Sequence, residues 1–300
     1  MAFTSVDDVV SEISNEKYLR SDWQYHNQNA YAFVSTTVAV DLSMSPGQYG
    51  ALNAFPGTAL AWVTCNNTVG NGTQVFGIPH GGNVSPDTKH VINASTTHPI
   101  GPTQIGGQLI LVDLQGYWPG ISHTTTATQT LTGTPTLRYP NGDGCRLYMV
   151  TTIGLGATAH NIRVNYYDTG NNYSNTGLIA SRVSTTVGQL TNSTPGSTGT
   201  IYLPLDNGDT GVQGAANVIM SAASTAGVSA LCLARPLIHI PLVTGTSVVN
   251  EKEFIYQTPS LPVVKDGACL VWLYVSPGGT TGSSVAAGTN FYGHIEVAWG

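Results

Sequence analysis

NGDGCRLYMV (residues 141–150) and KDGACLVWLYV (residues 265–275) carry one idiom twice: an Asp-Gly step, then a run of large apolar residues closing on Val. The Asp-Gly step supplies the positive-φ residue of a tight turn. The run after it lacks the in–out alternation of a half-buried strand, so it reads as a strand covered on both faces. Two copies imply either two similar β-sandwich modules or two equivalent strands of one sheet, unless a common turn–strand idiom has simply recurred. The offset between Gly144 and Gly267 is of the order of one small β-domain.

Outward from these stretches, residues 31–300 read as strand and turn. YAFVSTTVAVDLSM, KHVINAS, GQLILVDLQGYW, NIRVNYYDTG, VSALCLARPLIHIPLV and FYGHIEVAWG are rich in β-branched and aromatic residues. Turn clusters such as GNG, PHGG, DTGNN and DNGDTG separate the strands at short intervals. The expected fold is all-β, a β-sandwich or jelly-roll-like body of two β modules with a short N-terminal helix. The expected division is a helical arm over 1–27, a first β domain over 28–168 and a second over 169–300. The helix is expected from residue 4 to about 22, capped by Thr4 or Ser5, with Asp7 and Asp8 at its positive end. It either caps the core or docks on a partner. Val6, Val9, Val10, Ile13, Tyr18, Leu19 and Trp23 are the candidate partner-binding residues of such an arm, whose removal would leave a folded body.

Composition narrows the function classes. Charged residues make up 9% of the 31.4 kDa chain, the formal net charge is −6, and the pI is near 5.6. The usual charged fraction is about a quarter. No Lys/Arg cluster offers to neutralise phosphates, so nucleic acid is not an expected partner. A weakly charged surface suits packing against copies of itself. No membrane span is expected, and the acidic start is unlike a secretory signal. The sequons at Asn66, Asn71, Asn93, Asn172 and Asn192 follow from an Asn/Thr-rich composition. Cys65, Cys145, Cys232 and Cys269 are widely spaced and are expected as small buried hydrophobes.

Chemistry-bearing motifs are sparse. No nucleophile elbow, phosphate loop or HExxH stretch is present, so no catalytic residue, metal ligand or cofactor is assigned and the chain is not expected to be an enzyme. His80, His90 and His98 share one loop-rich stretch, but their spacing matches no ligand pattern. Asp143, Asp206 and Asp209 read as turn-formers, each turn offering too few oxygens for calcium. Glu251 and Glu253 alternate with Lys252 on a strand start. Tyr117, Trp118, Tyr166, Tyr167 and Trp299 read as core or strand-end packing, or collectively as subunit contacts.

GIPHGGNVSPDTKHVINA, LILVDLQGYWPGI with TQTLTGTPTLRYPNGDGCRLYMVTT, and YLPLDNGDTGVQ through EFIYQTPSLPVVKDGACLVWLYV to GHIEVAWG resemble virion structural proteins of tailed bacteriophages. The likeness runs from about residue 76 to the end. It implies a β-rich component of the virion, made in the bacterial host cytoplasm, that acts at the capsid surface as a cement or decoration protein. Its partners would be the major capsid protein and its own copies, in an oligomer, with a trimer the commonest form. The alternatives are a tail or fibre component binding host-surface glycan through loops 79–99 or 206–214, with Tyr117, Trp118 and Tyr166 as platforms, or the major capsid protein itself. The last lacks the long spine helix that role needs.

Overall fold

The computed structural model describes residues 3–26, 38–40, 55, 59–66, 77–98, 108–181, 183, 190–191, 201–242, 248–256, 260–275 and 290–300. Helix α1 (Val6–Ser14) leads into β1 (Tyr18–His26), β2 (Val38–Val40), β3 (Val63–Thr64), β4 (Lys89–His98), β5 (Gln108–Ser122) and β6 (Gln129–Thr130). Then come β7 (Arg146–Ile153), β8 (Asn161–Asp168), β9 (Tyr173–Asn175), β10 (Ile179–Ala180), β11 (Val212–Met220) and β12 (Val228–Pro241). The chain closes with β13 (Val248–Glu253), β14 (Val263–Val264), β15 (Leu270–Val275) and β16 (Asn290–Trp299).

All pairings between these strands are antiparallel and form three sheets. The central sheet runs β2-β15-β5-β12-β7, with β3 beside β5. A terminal sheet runs β1-β16-β4-β13, with β14 also on β4, and a lateral sheet runs β10-β8-β11-β6, with β9 on β8. The fold is all-β, in the sandwich class. Each sheet takes strands from both sides of residue 168, so the expected division into 28–168 and 169–300 does not follow the sheets.

Alternation along the central strands distributes the core. On β5, Ile110, Val112 and Leu114 turn to one face, with Cys232, Ala234, Val271 and Leu273. That face also meets Phe55, Leu190, Ile201 and Tyr202. Leu109 and Leu111 turn to the other face, with Ile238, Ile240, Leu270 and Trp272, and pack on the terminal sheet. Further along that second face Trp118, Leu147, Met149, Leu231 and Leu233 pack on the lateral sheet. Two sheets therefore cover one face of the third side by side. Register shifts between Leu233 and Ala234 and between Pro236 and Ile238 keep the faces in phase. Leu237, at the second shift, touches both half-cores.

The repeated idiom is resolved by this register. Leu270 of β15 lies opposite Asp113 of β5, Asp113 lies opposite Arg235 of β12, and neighbouring Ala234 lies opposite Arg146 of β7. Both Asp-Gly turns thus start their strands at mid-sheet. β15 then runs towards Gln108, and β7 runs the other way towards Val228. They are equivalent flanking strands of one sheet, related by an approximate two-fold axis through its centre. Gly144 and Gly267 both have left-handed backbone, φ +62 and +70.

The N-terminal segment departs from expectation. Ser5 caps α1 and forms a capping box with Asp8, but the helix ends at Ser14 and Glu16 takes a φ of +62. Tyr18–His26 then pairs with β16 over nine residues. Leu19 and Trp23 are four apart, a spacing compatible with both helical and strand periods, so pattern alone cannot separate them. Among the described residues, Leu203 makes a backbone bond to Leu147 outside any strand, and β13 ends at Glu253. Of YAFVSTTVAVDLSM only Val38–Val40 lies within the described residues.

The two Asp-Gly turns separate in a substitution test. Gly267 has no atom within 4 Å of an added Cβ, whereas one on Gly144 would meet the Arg235 guanidinium at 1.9 Å. Gly267→Ala should cost only the backbone strain, roughly 1–2 kcal/mol. Gly144→Ala should cost somewhat more, because the flexible Arg235 guanidinium must move off Asp143, read from urea unfolding midpoints at equal m-values.

Candidate functional site

Three buried polar clusters and two surface depressions hold the functional groups. The first cluster sits at the seam between the two half-cores. Asp113, fully buried on β5, accepts from Arg138 Nε at 3.0 Å and Nη2 at 2.5 Å. Its Oδ1 also accepts the Cys269 amide at 2.9 Å. Arg138 further donates to the carbonyls of Cys65 at 2.7 Å and Leu114 at 2.6 Å, and its own amide donates to Gln115 Oε1 at 2.9 Å. The pair therefore ties β5, β3, the 132–140 loop and the entry to β15 together. A buried pair of this kind is sound only while both charges and their remaining donors are matched.

The second cluster anchors the 77–88 loop on the second Asp-Gly turn. Ala268 O accepts from His80 Nε2 at 2.9 Å, which leaves Nδ1 to accept from the Lys89 ammonium at 2.9 Å. Lys89 also donates to Gly82 O, and Asp266 Oδ1 accepts the Val84 amide at 2.9 Å. Burial, reinforced by the Lys89 charge, pulls His80 down to about 4, and burial pulls Lys89 down to about 8. This places two members of the predicted histidine stretch: His80 is a latch, and His90 is buried beside the Phe3 ring at 5.3 Å. The His98 side chain lies outside the described ones. No metal-holding group of His, Cys, Asp or Glu occurs among the described residues.

The third cluster was not legible in the sequence. His160 Nδ1 donates to Thr158 O at 3.0 Å, so its Nε2 accepts from His123 Nδ1 at 2.8 Å. His123 Nε2 then accepts from Ser229 Oγ at 2.8 Å, and Ser229 Oγ accepts from Thr191 Oγ1 at 2.8 Å. A serine, a base and a group orienting that base are the parts of an activated nucleophile. Here Ser229, His123 and Thr191 have no exposed surface, so the serine oxygen meets no incoming carbonyl. The relay ties the end of β5 to the start of β8, to β12 and to Leu190–Thr191. Burial, with the His160 ring next to it, holds His123 neutral down to about 3.

The remaining sequence candidates fall into structural roles. Asp209 Oδ2 accepts from Tyr166 OH at 2.6 Å, and that oxygen accepts the Asp206 amide at 2.6 Å, so one tyrosine holds the DNGDTG turn. Asp143 is paired with Arg235. Glu251 accepts from Asn93 Nδ2 at 2.7 Å, and Glu253 accepts the Ile255 and Tyr256 amides. Tyr117, Trp118 and Tyr166 are fully buried and cannot serve as ligand platforms. Trp299 packs on the core of the terminal sheet. All four cysteines are buried and in no disulfide, and burial raises the Cys145 thiol to about 12, which keeps it protonated.

The N-terminal residues are mostly internal. Val9 packs on Ile92 and Ala298, with Ile13 and Tyr18 against the same cluster. Leu19 packs on the terminal-sheet core, where the Trp23 ring lies 5.2 Å from that of Trp272. Val6 is half-buried, and Val10 alone of the seven is exposed, at 56%. Lys17 bridges Glu12 and Asp87 at 3.0 Å each. The segment therefore caps its own body, and removing it would uncover β16.

Of the surface depressions among the described residues, two lie on outer sheet faces. One, of about 500 Å3, lies on the outer face of the terminal sheet between Trp23, Thr97, Val249, Tyr292 and His294. The other, of about 390 Å3, lies between the 133–141 loop and the outer face of β8 and β11. No helix among the described residues is long and apolar enough to cross a membrane.

Comparison with known proteins finds no matching family and no matching curated protein. Among solved structures the chain is similar to the VP2 subviral particle of infectious bursal disease virus, with 10% identity and a TM-score of 0.19. That match covers 94% of this chain and 80% of the other. At such a score it assigns neither fold nor function, and both rest on the geometry above.

Two outcomes are expected. Arg138→Met, which leaves the Asp113 carboxylate buried and alone, should cost ~3–5 kcal/mol in chemical unfolding. Acidification should destabilise the protein. His80 and His123 stay neutral when folded but bind protons near 6.5 when unfolded, so stability is full above 6.5 and falls as pH drops towards 4 and 3. Between pH 7 and 5 each histidine should remove ~2 kcal/mol, and a flat profile over that range would contradict the assignment.

Proposed function

We propose that this chain is a structural component of a tailed-phage virion, a cement or decoration protein that binds the assembled head shell and stabilises it. The observation that carries this reading is the outer face of the terminal sheet. Tyr292, Thr97 and Val249 stand in register across β16, β4 and β13. Tyr292 is 45% exposed and Val249 60%, an apolar centre on a flat antiparallel face. Around it Arg20 pairs with Asp22 at 3.1 Å, Glu296 lies 3.7 Å from His294, and Glu251 stands two residues from Val249 on the same face of β13, so the rim is polar with an acidic excess. An apolar centre inside a polar rim is the anatomy of a protein–protein interface.

The low charge of the whole chain supports the same reading, because dense lattices of copies meet little mutual repulsion. The sequence resemblance over residues 76–300 supports the particle class. The mechanism is linkage: a protein that binds the assembled shell but not its free subunits stabilises the shell by RT ln(1 + [L]/Kd). Its partners are the major capsid protein and neighbouring copies of itself, and its place is the capsid surface.

The test is co-sedimentation of the purified protein with shells stripped of it. The native chain should pellet with shells and not with free subunits. A Tyr292→Glu, Val249→Glu double variant, both sites being exposed, should keep its unfolding midpoint and lose at least about tenfold in shell affinity, a change of ~1.4 kcal/mol or more. A native chain that ignores shells would overturn the function, and a variant that binds as well as native would overturn the face.

A further inference from the structure

The second depression sits on the opposite sheet from the proposed shell-binding face, and its chemistry is different. It is lined by Pro135, Tyr139, Asn141, Tyr167, Asn171 and Gln213 among others, and none of its lining residues carries a charge at neutral pH. Tyr167 is 38% exposed. Tyr173, directly opposite it on β9, is 57% exposed, and the two rings meet edge-on at 5.8 Å. Exposed tyrosines in so polar a surface need a reason, because one lying against the other still leaves both ring faces partly in water.

The aromatic pair is braced. Tyr173 OH accepts from Asn217 Nδ2 at 3.1 Å, and Asn217 Oδ1 accepts from Asn165 Nδ2 at 2.8 Å. Gln213 donates one amide hydrogen to Thr169 O at 3.0 Å. Asn141 and Asn171 both hold left-handed backbone at the rim, φ +55 and +62. The result is an ordered aromatic surface beside amides that can both donate and accept.

From this the geometry points to a binding site for a neutral saccharide. A pyranose ring offers an apolar C–H face to an aromatic ring and hydroxyls at its edge to carboxamides, which is the pairing the cleft provides. A phosphate, sulfate or sialic acid would require cations, and the lining has none. Arg235 lies over Tyr139 at 5.2 Å, but its guanidinium is held by Asp143 and does not line the cleft. A volume near 390 Å3 is at the small end of ligand clefts, enough for a short segment of a chain and too small for a large cofactor. This site stands apart from the shell-binding reading, and either can fail without the other.

The test is saturation-transfer NMR and calorimetry on the full chain with a panel of neutral mono- and oligosaccharides. Sialylated and sulfated glycans and inorganic phosphate serve as comparison probes. At least one neutral glycan should bind. Tyr167→Ala should weaken it about tenfold or more, and Tyr167→Phe should stay within about threefold of native. Asn171→Gly, which keeps the left-handed backbone and removes only the amide, should weaken it severalfold and covers the case in which Tyr167→Ala fails to fold. The proposal is overturned if no neutral glycan binds, if only the anionic probes bind, or if Tyr167→Ala and Asn171→Gly both bind as native.

Discussion

A carboxylate with no access to solvent sits at the middle of the central sheet, and a single arginine answers it. Asp113 and Arg138 make two side-chain bonds to one another, and their remaining donors and acceptors reach Cys65, Leu114, Gln115 and Cys269. Removing two charges from water is expensive, and only a fully matched set of partners offsets it. The partners lie on β5 itself, just after β3 and at the entry to β15, so these elements are fixed relative to each other as a condition of the charges being tolerated at all. The position matters as much as the energy. Asp113 turns to the face that the terminal and lateral sheets share, so the pair stands where the two half-cores meet.

What this arrangement leaves outside follows from it. One face of the central sheet is spent on two smaller sheets, whose outer faces stay free except where α1 covers Ile92 and Ala298 of the terminal sheet. Those free faces carry the exposed aromatics: Tyr292 on the terminal sheet, Tyr167 and Tyr173 on the lateral sheet. Polar clusters inside the molecule, the His80–Lys89 latch and the Ser229–His123–His160 relay, are closed to solvent and serve to pin loops to strands. The buried ionisable groups are thus spent on internal bonds, while exposed ion pairs such as Arg20–Asp22 share the surface with neutral polar and aromatic groups.

Much of the fold was legible because alternation and turn chemistry are local. The strands from Lys89, Gln108, Arg146, Asn161, Val228, Leu270 and Asn290 stand close to where their residue types place them. The Asp-Gly repeat left two modules, two strands of one sheet and chance recurrence open, and register shows that both copies flank one sheet. Failures came where the signal is degenerate or non-local. Leu19 and Trp23 satisfy two periodicities at once, so a strand was read as the end of a helix. The 28–168 and 169–300 division assumed that sequence neighbours share a sheet, yet β5 finds β12 and β15 well over a hundred residues away. Tyr166 and Tyr167 are adjacent on one strand, and strand geometry sends one inward and the other outward, so Tyr166, a candidate platform in the sequence, is buried while Tyr167 is exposed. His123 and His160 are separated by 37 residues, and Asp113 from Arg138 by 25, with no local motif to connect them.

Native-state hydrogen exchange at the Cys269 amide, which donates to Asp113, addresses the central claim most directly. If the buried pair holds the sheets in place, that amide and those of Leu114 and Cys65 exchange only when the whole molecule unfolds, with an opening free energy equal to the global value. Exchange at Cys269 through a smaller local opening, at a rate comparable with the edge amides of β1 or β13, would contradict it.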